Sequence, residues 1–129
     1  MKKYLLILLF LILTTGCATP AIQKTNYQQI TMDEAMLMMD KERNYIILDV
    51  RTPDEFKEKH IPNAINIPNE NIGLTEISEL PNKEQLILVY CRSGNRSKQA
   101  SEKLVKLGYT NVVEFGGIND WFGETVSEN

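Results

Sequence analysis

The chain has 129 residues, 43% of them hydrophobic and 24% charged, which provides for one domain with a modest core and leaves no room for a second catalytic domain. Its formal net charge of −3 argues against nucleic acid as a partner. A small anion stays within reach of a local basic spot, because the field that matters at a site is the local one.

Lys2-Lys3, the apolar run from Tyr4 to Leu13 and the small residues Thr14-Thr15-Gly16 before Cys17 follow the order of a secretory signal: charged, hydrophobic, then a cleavage site. The run is too short to span a bilayer comfortably as a helix. A cysteine directly after small residues resembles a bacterial lipoprotein signal. That resemblance implies a signal peptide over 1–16, a lipid on Cys17, and a protein exported to the outer face of the cytoplasmic membrane or the periplasm. The other readings leave Cys17 unmodified, behind a signal peptide or an uncleaved anchor, or make the apolar terminus a chance feature. Removal of 1–16 takes away Lys2 and Lys3 and leaves 12 basic against 17 acidic residues, a net charge of −5. Residues 17–26 are small, polar and without periodicity, as suits a tether; 27–122 reads as the folded domain and 123–129 as a polar tail.

Within the domain, Gln28 to Ile30 suits a short strand. Thr31 and Glu34 have capping-box spacing, and Met32, Ala35, Met36 and Met39 form a helical stripe that ends near Lys41. The run from Tyr45 to Val50 is continuously apolar apart from Asp49, as in a strand covered on both faces. Thr52-Pro53-Asp54-Glu55 carries a second N-cap with proline in the first turn, and the spacing predicts a capping box and a helix to about Lys59. Ala64 to Ile67 reads as a brief strand, and Thr75 to Leu80 as one or two helical turns stopped by Pro81. Gln85 to Tyr90 is a further strand, Ser97 to Leu107 an amphipathic helix closed by Gly108, and Val112 to Phe115 a last strand. Gly116-Gly117 is then a turn and Ile118 to Phe122 a final helical turn. Strands alternating with helices give an α/β domain with a mainly parallel central sheet flanked by helices.

The most informative segment is Cys91-Arg92-Ser93-Gly94-Asn95-Arg96-Ser97, between a strand and a helix. In a parallel sheet, ligands bind beyond the carboxyl ends of the strands. A thiolate, the reactive form of cysteine, is favoured there by backbone N–H groups, by a helix N-terminus and by Arg92 and Arg96, while Gly94 relaxes the backbone. Ser93, Asn95 and Ser97 are candidates either to orient the loop or to cap the helix, which Ser97 would do through its hydroxyl. Asp49 and Arg51 lie at the carboxyl end of a neighbouring strand; they either support the loop or shape their own strand–helix turn. With two cysteines in the chain and Cys17 taken by lipid, Cys91 is the only free thiol, which excludes a disulfide framework, a four-cysteine metal site and dithiol redox chemistry. One histidine, His60, and scattered carboxylates give no metal-ligand spacing, and no cofactor is implied.

These residues resemble the rhodanese-like domain, a sulfurtransferase family, over nearly all of 27–122. Leu48 to Phe56 resembles its first signature, His60 to Pro68 its second, Cys91 to Ser97 its active-site loop, and Gly108-Tyr109 with Phe115-Gly116-Gly117 and Trp121 its closing motif. The resemblance implies that Cys91 accepts a sulfane sulfur, becomes a persulfide, and passes the sulfur to a nucleophile such as cyanide or a thiol. The implied partners are a small sulfur-containing anion or a low-molecular-weight persulfide, with Arg92 or Arg96 facing it. The resemblance also makes His60 mainly structural. Four residues separate Cys91 from Arg96, one fewer than in the wider cysteine–arginine loops of phosphatases and arsenate reductases, so the ring suits a persulfide better than a tetrahedral oxyanion. A module that binds a partner or senses redox state without catalysis is the alternative from another class.

Overall fold

The computed structural model describes Gly16 and residues 26–128. Cys17, with the rest of the expected signal segment and tether up to residue 25, lies outside the described residues. No described helix is long and apolar enough to cross a membrane.

Five strands form one sheet: β1 (Gln28–Gln29), β2 (Tyr45–Asp49), β3 (Ile65–Asn66), β4 (Leu86–Cys91) and β5 (Val112–Gly117). Their order is β1-β5-β4-β2-β3, and every pairing is parallel. The helices α1 (Met32–Lys41), α2 (Pro53–Glu58) and α3 (Asn95–Lys106) cover its two faces. Leu48, Ile87, Val89, Cys91 and Val112 pack with Ala100 and Leu104 of α3. Ile47, Leu88, Tyr90, Val113 and Phe115 pack on the opposite side with Ala35 of α1 and Phe56 of α2. Double coverage is why β4 reads as an unbroken apolar run and β2 as one interrupted only by Asp49. Strand alternation sends Cys91 to the α3 face, while Asp49 follows Ile47 and Tyr90 to the other.

The first capping box forms as expected, with the Glu34 N–H donating to Thr31 and the Thr31 N–H returning to Glu34 at 2.8 Å. The second is only half formed. Thr52 accepts from the Glu55 N–H, but the Glu55 carboxylate reaches Arg96 on α3 instead of closing the box. Three further expectations are corrected. Residues 75–80 make no helix: Ile77 and Leu80 insert into the core at 7% and 1% exposure, and the Tyr109 hydroxyl donates to the Leu80 carbonyl at 2.6 Å. A stretch this short gains too little from its own hydrogen bonds to form a helix when core contacts pull it elsewhere. Gly116-Gly117 is the end of β5 rather than a turn beyond it. Ser97 sits inside the first turn of α3, whose N-cap is Gly94 in the left-handed region at φ 113°.

The polar tail is stitched down. His60 and Val126 form an antiparallel bridge, and Ser127 and Glu128 donate to carbonyls of Glu58 and Lys57. His60 is buried and stacked on Phe56 at 3.7 Å between ring centroids.

Candidate active site

Cys91 is the last residue of the central strand, and the chain turns at once through Arg92, Ser93 and Gly94 into α3. A left-handed residue is needed to fold the loop back, and Gly94 takes that conformation without the Cβ penalty. Its N–H then donates to the Cys91 sulfur at 3.0 Å. The positive end of α3 thus starts beside the sulfur, which favours negative charge there.

The loop is clamped from β5. A Cβ on Gly117 would lie 2.0 Å from the Arg92 carbonyl oxygen, so only glycine permits the approach. The Asn119 N–H donates to that same oxygen at 3.2 Å. Beneath the loop, Ser97 is fully buried and donates to the Glu114 carboxylate at 2.6 Å. The Cys91 thiol donates to the Ser97 oxygen at 3.4 Å. Glu114 also accepts the Gly116 N–H at 2.8 Å.

The two loop arginines have different fates. Arg96 makes a forked pair with Glu55 at 2.8 and 3.1 Å, and that hydrogen bond holds the Glu55 carboxyl at about 2, well below its ordinary value. The same bond raises Arg96 further above its ordinary value. Arg92 is exposed and borders a cavity of about 240 Å³ with Arg51, Glu55, Glu58, Lys59, Ile118 and Asn119. Ser93 and Asn95 are exposed.

Asp49 and Arg51 form a buried ion pair at 2.6 Å. Arg51 also donates to the Lys59 carbonyl, the Tyr90 hydroxyl donates to Asp49 at 2.6 Å, and Asn66 donates to the carbonyls of both. Burial, then Asp49, pushes the Tyr90 hydroxyl far above its ordinary value. These bonds organise the β2–α2 turn and none of them goes to residues 92–97. Their link to the loop is indirect, through α2, which carries Glu55 to Arg96. Sequence reasoning missed Glu55 and Glu114 as neighbours of the loop. A signal for the second was available: a glutamate inside an apolar strand of a sheet covered on both faces demands a partner.

The rhodanese-like domain model matches residues 31–124. The chain belongs to this family. It is 38% identical over 73 residues to the thiosulfate sulfurtransferase PspE of Escherichia coli, covering 57% of this chain and 70% of that one. The thiosulfate sulfurtransferase GlpE of Coxiella burnetii is also 38% identical, over 96 residues, with 74% and 87% covered. Among solved structures, a rhodanese with anions from E. coli is 35% identical at a TM-score of 0.59, covering 64% of this chain and 98% of that one. A rhodanese-like domain protein from Staphylococcus aureus is 29% identical at a TM-score of 0.67, with 79% and 99% covered. The protein is a rhodanese-type sulfurtransferase, and its rhodanese fold carries the Cys91 loop between the carboxyl ends of β2 and β5.

Proposed function

We propose that this rhodanese moves sulfur as a persulfide on Cys91, drawn from thiosulfate or a chemically similar anion. The observation that carries the reading is the Gly94 N–H donating to the Cys91 sulfur at 3.0 Å at the start of α3. The Cys91 thiolate attacks the outer sulfur of the donor. A sulfur–sulfur bond to Cys91 forms, the donor's own sulfur–sulfur bond breaks, and sulfite leaves with the electron pair. A nucleophile such as cyanide or a thiol then takes the terminal sulfur and returns Cys91 as thiolate. Cys91 is only 1% exposed, so a donor must present a slim terminal sulfur to it. Backbone N–H donors and the helix terminus favour the negative charge of both thiolate and persulfide without reorganisation during the reaction.

Arg92 is the cation that receives the donor's anionic end, since Arg96 is already engaged by Glu55. The names of the PspE and GlpE relatives support thiosulfate, and the E. coli structure with anions supports a negatively charged ligand. The enzyme works outside the cytoplasm, tethered through a lipid on Cys17; the order of residues 1–17 supports this. Supplying thiosulfate and cyanide and following thiocyanate tests the activity. The wild type turns over and Cys91→Ser does not, whereas equal rates would refute the role of Cys91. The intact mass of membrane-extracted protein tests the anchor: a diacylglycerol-modified mature chain is expected, and an unmodified Cys17 would refute it.

A further inference from the structure

Glu114 has no part in the mechanism above, yet it lies two hydrogen bonds from the reacting sulfur. The Cys91 thiol donates to Ser97 at 3.4 Å, and Ser97 donates to Glu114 Oε1 at 2.6 Å. Ser97 has one hydroxyl hydrogen and several acceptors around it, the carbonyls of Gly94 at 2.9 Å and Gly116 at 3.3 Å included. The Glu114 contact is the shortest of them, as a charge-assisted bond should be. Glu114 is 3% exposed. Its protein donors are a hydroxyl and an amide, both on one oxygen, and no cation pairs with it among the described residues. Its Oε1 is therefore the acceptor at the end of a hydrogen-bond chain that begins at the Cys91 sulfur and passes through the Ser97 hydroxyl.

We propose that Glu114 is the proton store of the Cys91 thiol, reached through Ser97. This rests on Cys91 being the sulfur carrier. The thiol gives its proton to the Ser97 oxygen while Ser97 gives its own to Glu114, leaving a thiolate, an intact hydroxyl and a neutral carboxylic acid. No proton is lost to solvent. The persulfide formed next is also an anion, so the proton stays on Glu114 until sulfur departs and the thiolate is restored. With Glu114 neutral, the Ser97 hydroxyl is free to turn and donate to the sulfur, so each protonation state favours its own partner. Glu114 is thus a positioning residue that acts through Ser97.

Few other charges face this array. β1 brings Gln28 and Gln29, and the titratable groups of β4 are Cys91 itself and Tyr90, which is turned to Asp49 on the opposite face. On α3, Arg96 is turned to Glu55 of α2, and Lys98, Glu102 and Lys106 are exposed; Lys103 is bound to Asn69. Arg92 lies in the loop, Asp49 and Arg51 pair on the opposite face, and the charges of α1 are exposed.

The test is a pH titration of thiolate absorbance in the full chain, checked by the pH profile of Cys91 alkylation. A shared proton gives the wild type two steps that belong to the pair. Glu114→Gln should collapse them to one, in the absorbance titration and in the alkylation profile alike. Glu114→Asp should restore two steps. On a Ser97→Ala background, Glu114→Gln should change the profile much less than it does alone. A wild type with the same single step as Glu114→Gln, or a Glu114→Gln effect undiminished by Ser97→Ala, would overturn the proposal. If Glu114→Gln does not fold, the Ser97→Ala titration decides, with retention of the wild-type two-step profile counting against the relay. None of these readings requires thiosulfate to be the donor, so failure here and failure of the proposed activity are distinguishable.

Discussion

Two buried carboxylates stand on the strands that flank β4, and they are satisfied in opposite ways. Asp49 on β2 accepts the Arg51 backbone N–H at 2.9 Å, its guanidinium at 2.6 to 3.1 Å and the Tyr90 hydroxyl at 2.6 Å. Glu114 on β5 accepts one hydroxyl and one amide. A carboxylate locked to a buried cation is a fixed charge that shapes a turn. One held by neutral donors alone has no cation to anchor it, and it is this one that lies on the face of the sheet where the cysteine is.

The contrast is broken most severely at Asp49. Asp49→Ala leaves Arg51 buried without its partner and should cost about 3–5 kcal/mol, read as the loss of unfolding free energy in urea. Glu114→Gln strands no cation and should cost about 1 kcal/mol in the same measurement. Equal losses would erase the distinction between the two acids.

Next comes the clamp on the Cys91 loop. Gly117→Ala drives a methyl group into the Arg92 carbonyl, so the loop must move, at about 1–3 kcal/mol. Sulfurtransferase activity should fall more than the unfolding midpoint indicates, because the Gly94 N–H leaves the sulfur. A variant with normal turnover would show that the clamp is dispensable.

Arg92 and Arg96 set the same contrast between free and engaged groups. Arg92→Ala should raise KM for thiosulfate roughly tenfold, the worth of one charge-assisted contact, with stability unchanged. Arg96→Ala should lower stability, with a smaller effect on KM.

The mildest effect is at Glu55. Its carboxyl is held at about 2 against an ordinary value of 4.5. The stabilisation is therefore full above about pH 4.5 and is lost as pH falls toward 2. Glu55→Gln lacks it and should differ from the wild type by about 0.5–1 kcal/mol near neutral pH, a gap that closes across that acid range in thermal melts.

The same contrast explains what was legible in the sequence. The Cys91 loop is one contiguous segment between a strand and a helix, so local chemistry was enough to find it. Asp49 and Arg51 are two residues apart and readable as a pair; which face they serve depends on the pleat. Glu55 has an N-cap spacing that masks its partner Arg96, 41 residues on. Glu114 meets Ser97 only through the β4–α3–β5 crossover, 17 residues away. The misread helix at 75–80 has the same origin, for Leu80 is held by Tyr109, a partner that local pattern does not contain.

The most direct test of the persulfide account is the intact mass of the full chain after thiosulfate treatment and removal of excess donor. The account predicts a gain of one sulfur atom, localised to Cys91 by peptide mapping, absent in Cys91→Ser and removed by cyanide. A folded wild-type protein that gains no sulfur from thiosulfate or from a low-molecular-weight persulfide would contradict it.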